Sequence, residues 1–498
     1  MDDWGKIERA LQALAASGSA EVREDGEWLG ELPALRYEMR AHGQDSLVHL
    51  WSAERNVTRR LLRVREHTED RIVLEVQRFG RARPGRLEFR RTRRPRSAVR
   101  ASREEFRAHF RRILRERFPD AEVDSLTAAP DLEHSFSGAY LRGRMREGAR
   151  AWAVMAAAPD ATSAAADGML GIGILWLDWT RGQTGKQPIQ GLRLFFPEGA
   201  SRSARERVAA LSSGARTELF EFREPDGPMR RMDPADAGNL ESWLVPRGAA
   251  ESAVQAACEA AARFSTLAGA MAEPSCAIRL RAASQASEVV FSFRGLDFAR
   301  SSRDGIRFGL SDAREKLTAS TEPALDALIR KLDLYRSPST SDTKHPLYRA
   351  APERWIEAQV LDDPERLDAH LDPRHIYPRV PALTPGDSGV PDLLGMTRQG
   401  RLVVVELKAS EDLQMPLQTM DYWLRVRRHQ RDGDFERNGY FPGIKLDPRP
   451  PLVWLAAPAL RFHPATEILL KYLSPEIEVT RIGLNENWRR GLKIVFRQ

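Results

Sequence analysis

Asp392, Glu406 and Lys408 are the residues of this chain whose types and spacing point most sharply to chemistry. Val390-Pro391-Asp392-Leu393-Leu394-Gly395 leads through Thr397-Arg398-Gln399-Gly400 into Arg401-Leu402-Val403-Val404-Val405-Glu406-Leu407-Lys408. The Arg-Gln-Gly stretch reads as a hairpin turn, so Asp392 and Glu406 belong to neighbouring strands. Side chains alternate along a strand, so Leu402, Val404, Glu406 and Lys408 share a face, with Asp392 in reach across the hairpin. Burying such charges is costly unless they are paired or hold a metal. Two carboxylates and the Leu407 backbone carbonyl are the oxygen ligands that Mg²⁺ or Mn²⁺ takes beside water and phosphate. Such an ion polarises a phosphoryl group and acidifies a bound water, while the lysine orients that water and offsets developing negative charge.

The spacing alone is weak, since a Glu-x-Lys arises about once by chance in a chain of this composition. Asp342-Thr343-Lys344 has the same spacing but no apolar strand before it, and falls in a Ser/Thr-rich linker at 337–343. Lysine itself adds weight: the 77 basic residues comprise nine lysines and 68 arginines, a bias that a GC-rich genome produces and that position 408 defies.

These residues resemble the PD-(D/E)xK nuclease superfamily over about residues 345–430 and more loosely to 498, with Asp392, Glu406 and Lys408 on its three core positions. Within it the chain is similar to NucS/EndoMS-type domains in Glu353…Ile356…Val360…Pro364, Asp-Leu-Leu-Gly and Val-Val-Val-Glu-Leu-Lys, and to RecB-type domains in Gln418-x-x-x-Tyr422. The resemblance implies a restriction-endonuclease-like mixed sheet flanked by helices. It also implies a first-helix glutamate that assists the metal, and a Gln and Tyr that shape the site and contact the nucleic-acid strand. Glu353 and Glu357 both stand on that first helix; spacing to Pro364 favours Glu353, and the choice stays open.

The flanking elements suit such a site. Pro352 opens a helix with Glu353 and Glu357 one turn apart. Further on, Gln418, Tyr422, Arg425 and His429 form one polar stripe and Leu417, Met420 and Leu424 an apolar one, so the polar stripe, Arg425 included, is placed to meet a phosphate backbone and Tyr422 a base or sugar. His429 is left out of the site, and Trp355 and Trp423 are read as core. Pro451–Ala456, Glu478–Ile482 and Leu492–Phe496 read as strands, with a helix at Ala465–Leu473.

Earlier regions are less telling. Short apolar runs at Leu47–Trp51, Arg71–Val76 and Leu87–Phe89 predict a small sheet, with a turn marked by Gly80, Pro84 and Gly85. Ten arginines lie between Arg78 and Arg100. Among them Arg90, Arg91, Arg93 and Arg94 are expected to neutralise phosphates in a salt-dependent, sequence-independent way. Ser102, with Glu105 as its capping-box partner, predicts a helix stopped by Pro119. Strands are expected at Ala151–Ala156, Gly171–Trp179, Leu192–Phe196 and Glu218–Phe222, with a helix at Arg205–Leu211. A helix at Ser252–Leu267, strands at Ala277–Arg281 and Val289–Phe293, and a helix at Ala324–Leu334 follow. Gly171-Ile172-Gly173 lacks the third glycine of a dinucleotide loop, and Gln187 after Gly185-Lys186 rules out a phosphate loop.

The expected organisation is multi-domain α+β: a basic strand-rich domain at 1–98, an α/β module at 99–245, an α+β connecting module at 246–340 and an α/β nuclease-like domain at 341–498. Net charge is +7 and mean hydropathy −0.47, with no apolar run long enough to span a membrane. The N-terminus lacks the basic-then-apolar order of a secretory signal, and two cysteines cannot staple a fold or build a zinc site, so a reducing cytoplasm is expected. The reading is a Mg²⁺- or Mn²⁺-dependent nuclease, most simply a DNA endonuclease of repair or of defence against foreign DNA. RNA stays open as a substrate, and so does oligomeric state, a dimer included. The rival is a nucleic-acid-binding or regulatory protein whose nuclease-like domain is idle or gated by the middle modules.

Overall fold

A computed structural model describes the chain apart from residues 1–3, 17–19, 33–34, 43–44, 52–55, 78–83, 92–95, 130, 132–133, 135, 137, 160, 184–187, 224–227, 236–242, 274–276, 284–287, 311–313, 381 and 384–390. It is a multi-module α+β assembly of several sheets and helices. At the N-terminus a helix (Trp4–Ala16) covers a seven-stranded antiparallel sheet through Ile7, Leu11 and Leu14, which meet Val22, Leu74 and Phe89 in its core. Each apolar run expected there lies in a strand: Asp45–Trp51, Arg71–Gln77 and Gly85–Arg91. Gly85 opens the last of these rather than belonging to a turn. Arg93 and Arg94 lie outside the described residues.

The second module begins with helix α1 (Arg96–Arg117), six residues before the expected Ser102 start. The capping-box pattern there is an interior coincidence, because Arg96-Ser-Ala-Val-Arg-Ala upstream contains no residue that opposes a helix. Then come β1 (Ala121–Thr127), β2 (Tyr140–Glu147), β3 (Arg150–Ala157), α2 (Ser163–Gln183), β4 (Ile189–Pro197), α3 (Arg202–Val208), β5 (Thr217–Phe222) and β6 (Arg230–Met232). They form one six-stranded sheet in the spatial order β6-β5-β4-β3-β2-β1. The expected strand at Gly171–Trp179 is instead the middle of α2. A short apolar run fits a buried strand and an all-round buried helix equally, and α2 is the latter: it is packed on one side by its own sheet and on the other by the C-terminal module.

In the connecting module the single helix expected at Ser252–Leu267 is two, Arg247–Ala261 and Ser265–Ala272, broken where Phe264 turns extended. A five-stranded antiparallel sheet from Ile278–Ala282 to Glu315–Lys316 and a helix at Glu322–Tyr335 complete it.

The C-terminal module runs α4 (Pro352–Asp362), β7 (Leu371–Pro378), β8 (Leu393–Thr397), β9 (Leu402–Leu407), α5 (Met415–Asp432), β10 (Leu452–Pro458), α6 (Thr466–Lys471), β11 (Val479–Leu484) and β12 (Ile494–Arg497). A short strand, Ala382–Leu383, pairs with Trp243–Leu244 of the connecting stretch. The six-stranded sheet has the order β7-β8-β9-β10-β11-β12, with β8–β9 antiparallel and β9–β10–β11 parallel. Side chains of β9 alternate between two cores: Val403, Val405 and Leu407 meet Trp355 and Ile356, whereas Leu402 and Val404 meet Tyr377, Met396 and Val426. Trp355 and Trp423 are buried as expected. No helix among the described residues is long and apolar enough to cross a membrane.

Candidate active site at the end of the C-terminal sheet

The hairpin β8–β9 carries the pointed residues to one end of the sheet. Leu393 pairs with Val405, so Asp392, one residue earlier, stands across from Glu406. Asp392 Oδ2 accepts the Leu407 N–H at 2.8 Å, which ties the first strand's start to the second strand's end. Lys408 follows directly; its backbone N–H donates to the Ala456 carbonyl at 3.0 Å, continuing the ladder to β10. Its Nζ lies 3.4 Å from Glu406 Oε1 and 3.1 Å from Asp412 Oδ2, and donates to Gln418 Oε1 at 3.3 Å.

Burial dominates the electrostatics. It pushes the carboxyls of Asp392 and Glu406 above the ordinary carboxylate range, and the facing Asp392 charge adds to the rise at Glu406. Burial works against the Lys408 ammonium, but the Glu406 and Asp412 carboxylates outweigh it and hold the lysine charged above its usual range. Burial, then the Glu406 charge, also raises the Tyr422 hydroxyl. Glu406 Oε2 is buried with no hydrogen-bond partner. One lysine thus faces two buried acids, and an orphaned carboxylate oxygen is the feature that a cation would satisfy.

Helix α4 delivers both first-helix glutamates. Glu353 Oε1 accepts the Ala409 N–H at 3.2 Å, immediately beyond Lys408. Glu357 is buried and held by Arg354 at 2.9 Å; burial pushes it up to about 7, with the Asp392 charge adding to the rise. Glu353 therefore borders the Lys408 segment directly, while Glu357 is already occupied by a guanidinium. The connecting module fixes where α4 begins. The fully buried Arg336 donates to the carbonyls of Phe293, Leu347 and Ala350 at 3.2, 2.8 and 2.6 Å. Gly295, at φ +80°, packs so closely on the Arg354 carbonyl that a Cβ there would collide with it.

The remaining expected residues divide. Gln418 and Tyr422 on α5 join the site, through Lys408 and through the Glu406 field. Arg425 turns instead toward α3, 3.9 Å from Glu206, with 12% of its side chain exposed. His429 is buried against Asp434 at 2.6 Å, in keeping with its omission. In the N-terminal sheet Arg90 is 2.5 Å from Glu21 and Arg91 is 2.9 Å from Asp70, each with nearly half its side chain exposed. Sequence reasoning missed Asp412 and Arg354. Asp412 follows Lys408 by four residues in a polar turn, and Arg354 sits between the two glutamates that were singled out; both signals were legible as charge spacing.

Among the described residues no three His, Cys, Asp or Glu side chains are already gathered as a cage for a metal. Mg²⁺ does not require one, since it is commonly held by one or two carboxylates with water and phosphate oxygens. Asp392 and the unpartnered Oε2 of Glu406 fit that mode. No protein-family model, curated protein or solved structure matches the chain.

Proposed function

We propose that the C-terminal module is the hydrolytic centre of a metal-dependent nuclease of the PD-(D/E)xK type, acting on DNA. The observation that carries this reading is the pair of buried, facing carboxylates, Asp392 and Glu406, with Lys408 against one and no hydrogen-bond partner for Glu406 Oε2. A fold that needed only stability would replace such a set with apolar side chains.

In this reading Asp392, Glu406 and the Leu407 carbonyl would hold Mg²⁺ or Mn²⁺, and Glu353 would assist from the α4 side. When bound, the ion supplies Lewis-acid polarisation of the scissile phosphate and a more acidic water. Lys408, kept charged by Glu406 and Asp412, positions the attacking water and compensates the charge that grows on the phosphoryl oxygens. Gln418 fixes the lysine's ammonium, and Tyr422, kept protonated, donates a hydrogen bond toward the strand. The half-exposed Arg90 and Arg91 extend phosphate binding to the N-terminal sheet.

The test is cleavage of single-stranded, duplex and branched DNA with an RNA control at low salt, in Mg²⁺, Mn²⁺ or EDTA. Metal-dependent cutting that is lost in Lys408→Ala and Asp392→Ala supports the proposal and names the substrate class. Nucleic-acid binding with no cutting under any of these conditions would instead favour an idle domain.

A further inference from the structure

The second and C-terminal modules repeat one another. Both run helix, three antiparallel strands, helix, parallel strand, helix, parallel strand and antiparallel edge strand, in sheets of identical spatial order. The ladders fix the equivalence residue by residue. Leu192 pairs with Thr217 and Pro197 with Phe222 in β4–β5; Val453 pairs with Val479 and Pro458 with Leu484 in β10–β11. The carbonyl just before each second strand also accepts alike, that of Arg216 from the Leu192 N–H at 2.8 Å and that of Glu478 from the Val453 N–H at 2.9 Å. With Leu192 matched to Val453, the β3–β4 and β9–β10 ladders match Met155 to Glu406 and Ala157 to Lys408. The hairpins then match Arg142 to Asp392.

The repeats also pack about a pseudo-two-fold axis. α2 lies on α6 and, reciprocally, α3 on α5. Ser212 N–H donates to the Tyr472 carbonyl at 2.9 Å, and Ser474 N–H to the Ala210 carbonyl at 2.8 Å. Under the strand equivalence Ala210 corresponds to Tyr472 and Ser212 to Ser474, so each bond is the image of the other. The axis passes between Leu211 and Leu473, which form a bridge. Such self-complementary packing is the signature of a symmetric dimer, here within one chain.

The two strand ends lie together. Tyr140, at the start of β2, donates to the Ala165 carbonyl of α2 at 2.7 Å. Gln414, in the turn after Lys408, donates to the Gly168 carbonyl at 3.3 Å, and a Cβ on Gly168 would touch both the Tyr140 hydroxyl and the Gln414 amide. In the second module the matched positions carry one cation and no acid. The Arg142 guanidinium stands 4.9 Å from the Phe136 ring and 5.7 Å from that of Trp176, and donates to the Ala129 carbonyl at 2.6 Å.

We infer that residues 96–232 are a non-cutting copy of the C-terminal module, so that one chain is a built-in pseudodimer with a single hydrolytic site and nicks one strand of duplex DNA. The inference rests on the proposed nuclease function. The backbones of a duplex are related by local dyads, so a two-fold pair of modules matches two antiparallel strands. Where both halves of such a pair hold acids and lysine, both strands are cut; here Arg142, Met155 and Ala157 leave the second strand intact. The chemistry is addition of one water across one P–O bond, giving one phosphate-monoester end and one hydroxyl end.

The experiment is a time course on covalently closed supercoiled plasmid with Mg²⁺ and full-length protein in excess, alongside Lys408→Ala and mixtures of the two proteins. We expect nicked circle to accumulate to most of the substrate before linear product appears, no cutting by Lys408→Ala, and a nicking rate in mixtures that falls only in proportion to wild-type content. Linear product formed as early as nicked circle would overturn the inference, as would a rate that collapses faster than the wild-type fraction. Cutting of single strands alone, with plasmid untouched, would overturn it while leaving the nuclease proposal standing. No cutting of any substrate would overturn the nuclease proposal and this inference with it.

Discussion

The same strand ends in the second and C-terminal modules hold opposite chemistry. At the C-terminal end, the acids Asp392 and Glu406 face each other with the half-buried Lys408 beside them, and an acid oxygen is left without a partner. At the other, Met155 and Ala157 are fully buried apolar side chains and Arg142 rests on aromatic faces. Identical topology thus carries one end optimised for packing and one held under electrostatic strain, and strain of this kind is retained where function requires it.

The comparison breaks most readily by swapping losses. Lys408→Ala or Asp392→Ala should cut hydrolysis by at least about 100- to 1,000-fold, with the melting temperature little lowered. Met155→Ala should instead cost about 2–5 kcal/mol of stability by opening a cavity, measured by denaturant unfolding, and leave single-turnover cleavage unchanged well below the melting point. A folded Met155→Ala protein with lost cleavage would dissolve the distinction between the two ends.

Next in size is the coupling of the connecting module to α4. Gly295→Ala should cost about 1–3 kcal/mol through its left-handed backbone and the collision with the Arg354 carbonyl. Because α4 carries Glu353 and Glu357, the same change should raise the Mn²⁺ concentration needed for half-maximal cleavage. Unchanged metal dependence would show that α4 does not help form the site. Across the module interface Arg207 meets Asp421 through two bonds of 2.9 and 2.8 Å, and a double-mutant cycle should give a coupling of about 1–3 kcal/mol.

The pH dependence sharpens the contrast further. Burial raises Asp392, Glu406 and Glu357 above their unfolded values, so the fold favours their protonated forms. Their contribution to stability is present below about pH 4 and is lost as pH rises through the folded value, about 7 for Glu357. Asp392→Asn with Glu406→Gln should therefore flatten the metal-free stability profile between about pH 5 and 7.5, and Mg²⁺ should stabilise wild type at pH 7.5 but not this variant. An identical Mg²⁺ response in both would remove the carboxylates from metal binding. The smallest effect is expected at the N-terminal sheet, where Arg90→Ala or Arg91→Ala should lower the slope of log affinity against log salt by about 1 for each phosphate left unneutralised.

Much of the C-terminal site was legible in sequence because its signal is local: an apolar strand, a tight turn and charges at alternating positions bring Asp392, Glu406 and Lys408 together within one hairpin. Gln418 was legible from helical spacing. The orientation of Arg425 was not, because it depends on α3 from another module. Nor was α2 recognisable: its Gly171–Trp179 run is apolar on every side only because its own sheet covers one face and the C-terminal module the other. The repeat is not legible in the sequence for a related reason. Its equivalence resides in ladder registers and in few shared residues, such as Pro197 with Pro458, so backbone pairing preserves what the side chains no longer spell.

The central claim is that Glu406 is kept at a cost to stability because it holds the metal that cleavage needs. Single-turnover cleavage with Mn²⁺ and metal-free melting, measured side by side for wild type and Glu406→Gln, test it most directly. We expect the variant to lose cleavage by about 1,000-fold while its metal-free form is more stable by roughly 1 kcal/mol. A variant that cuts as fast as wild type would contradict the claim.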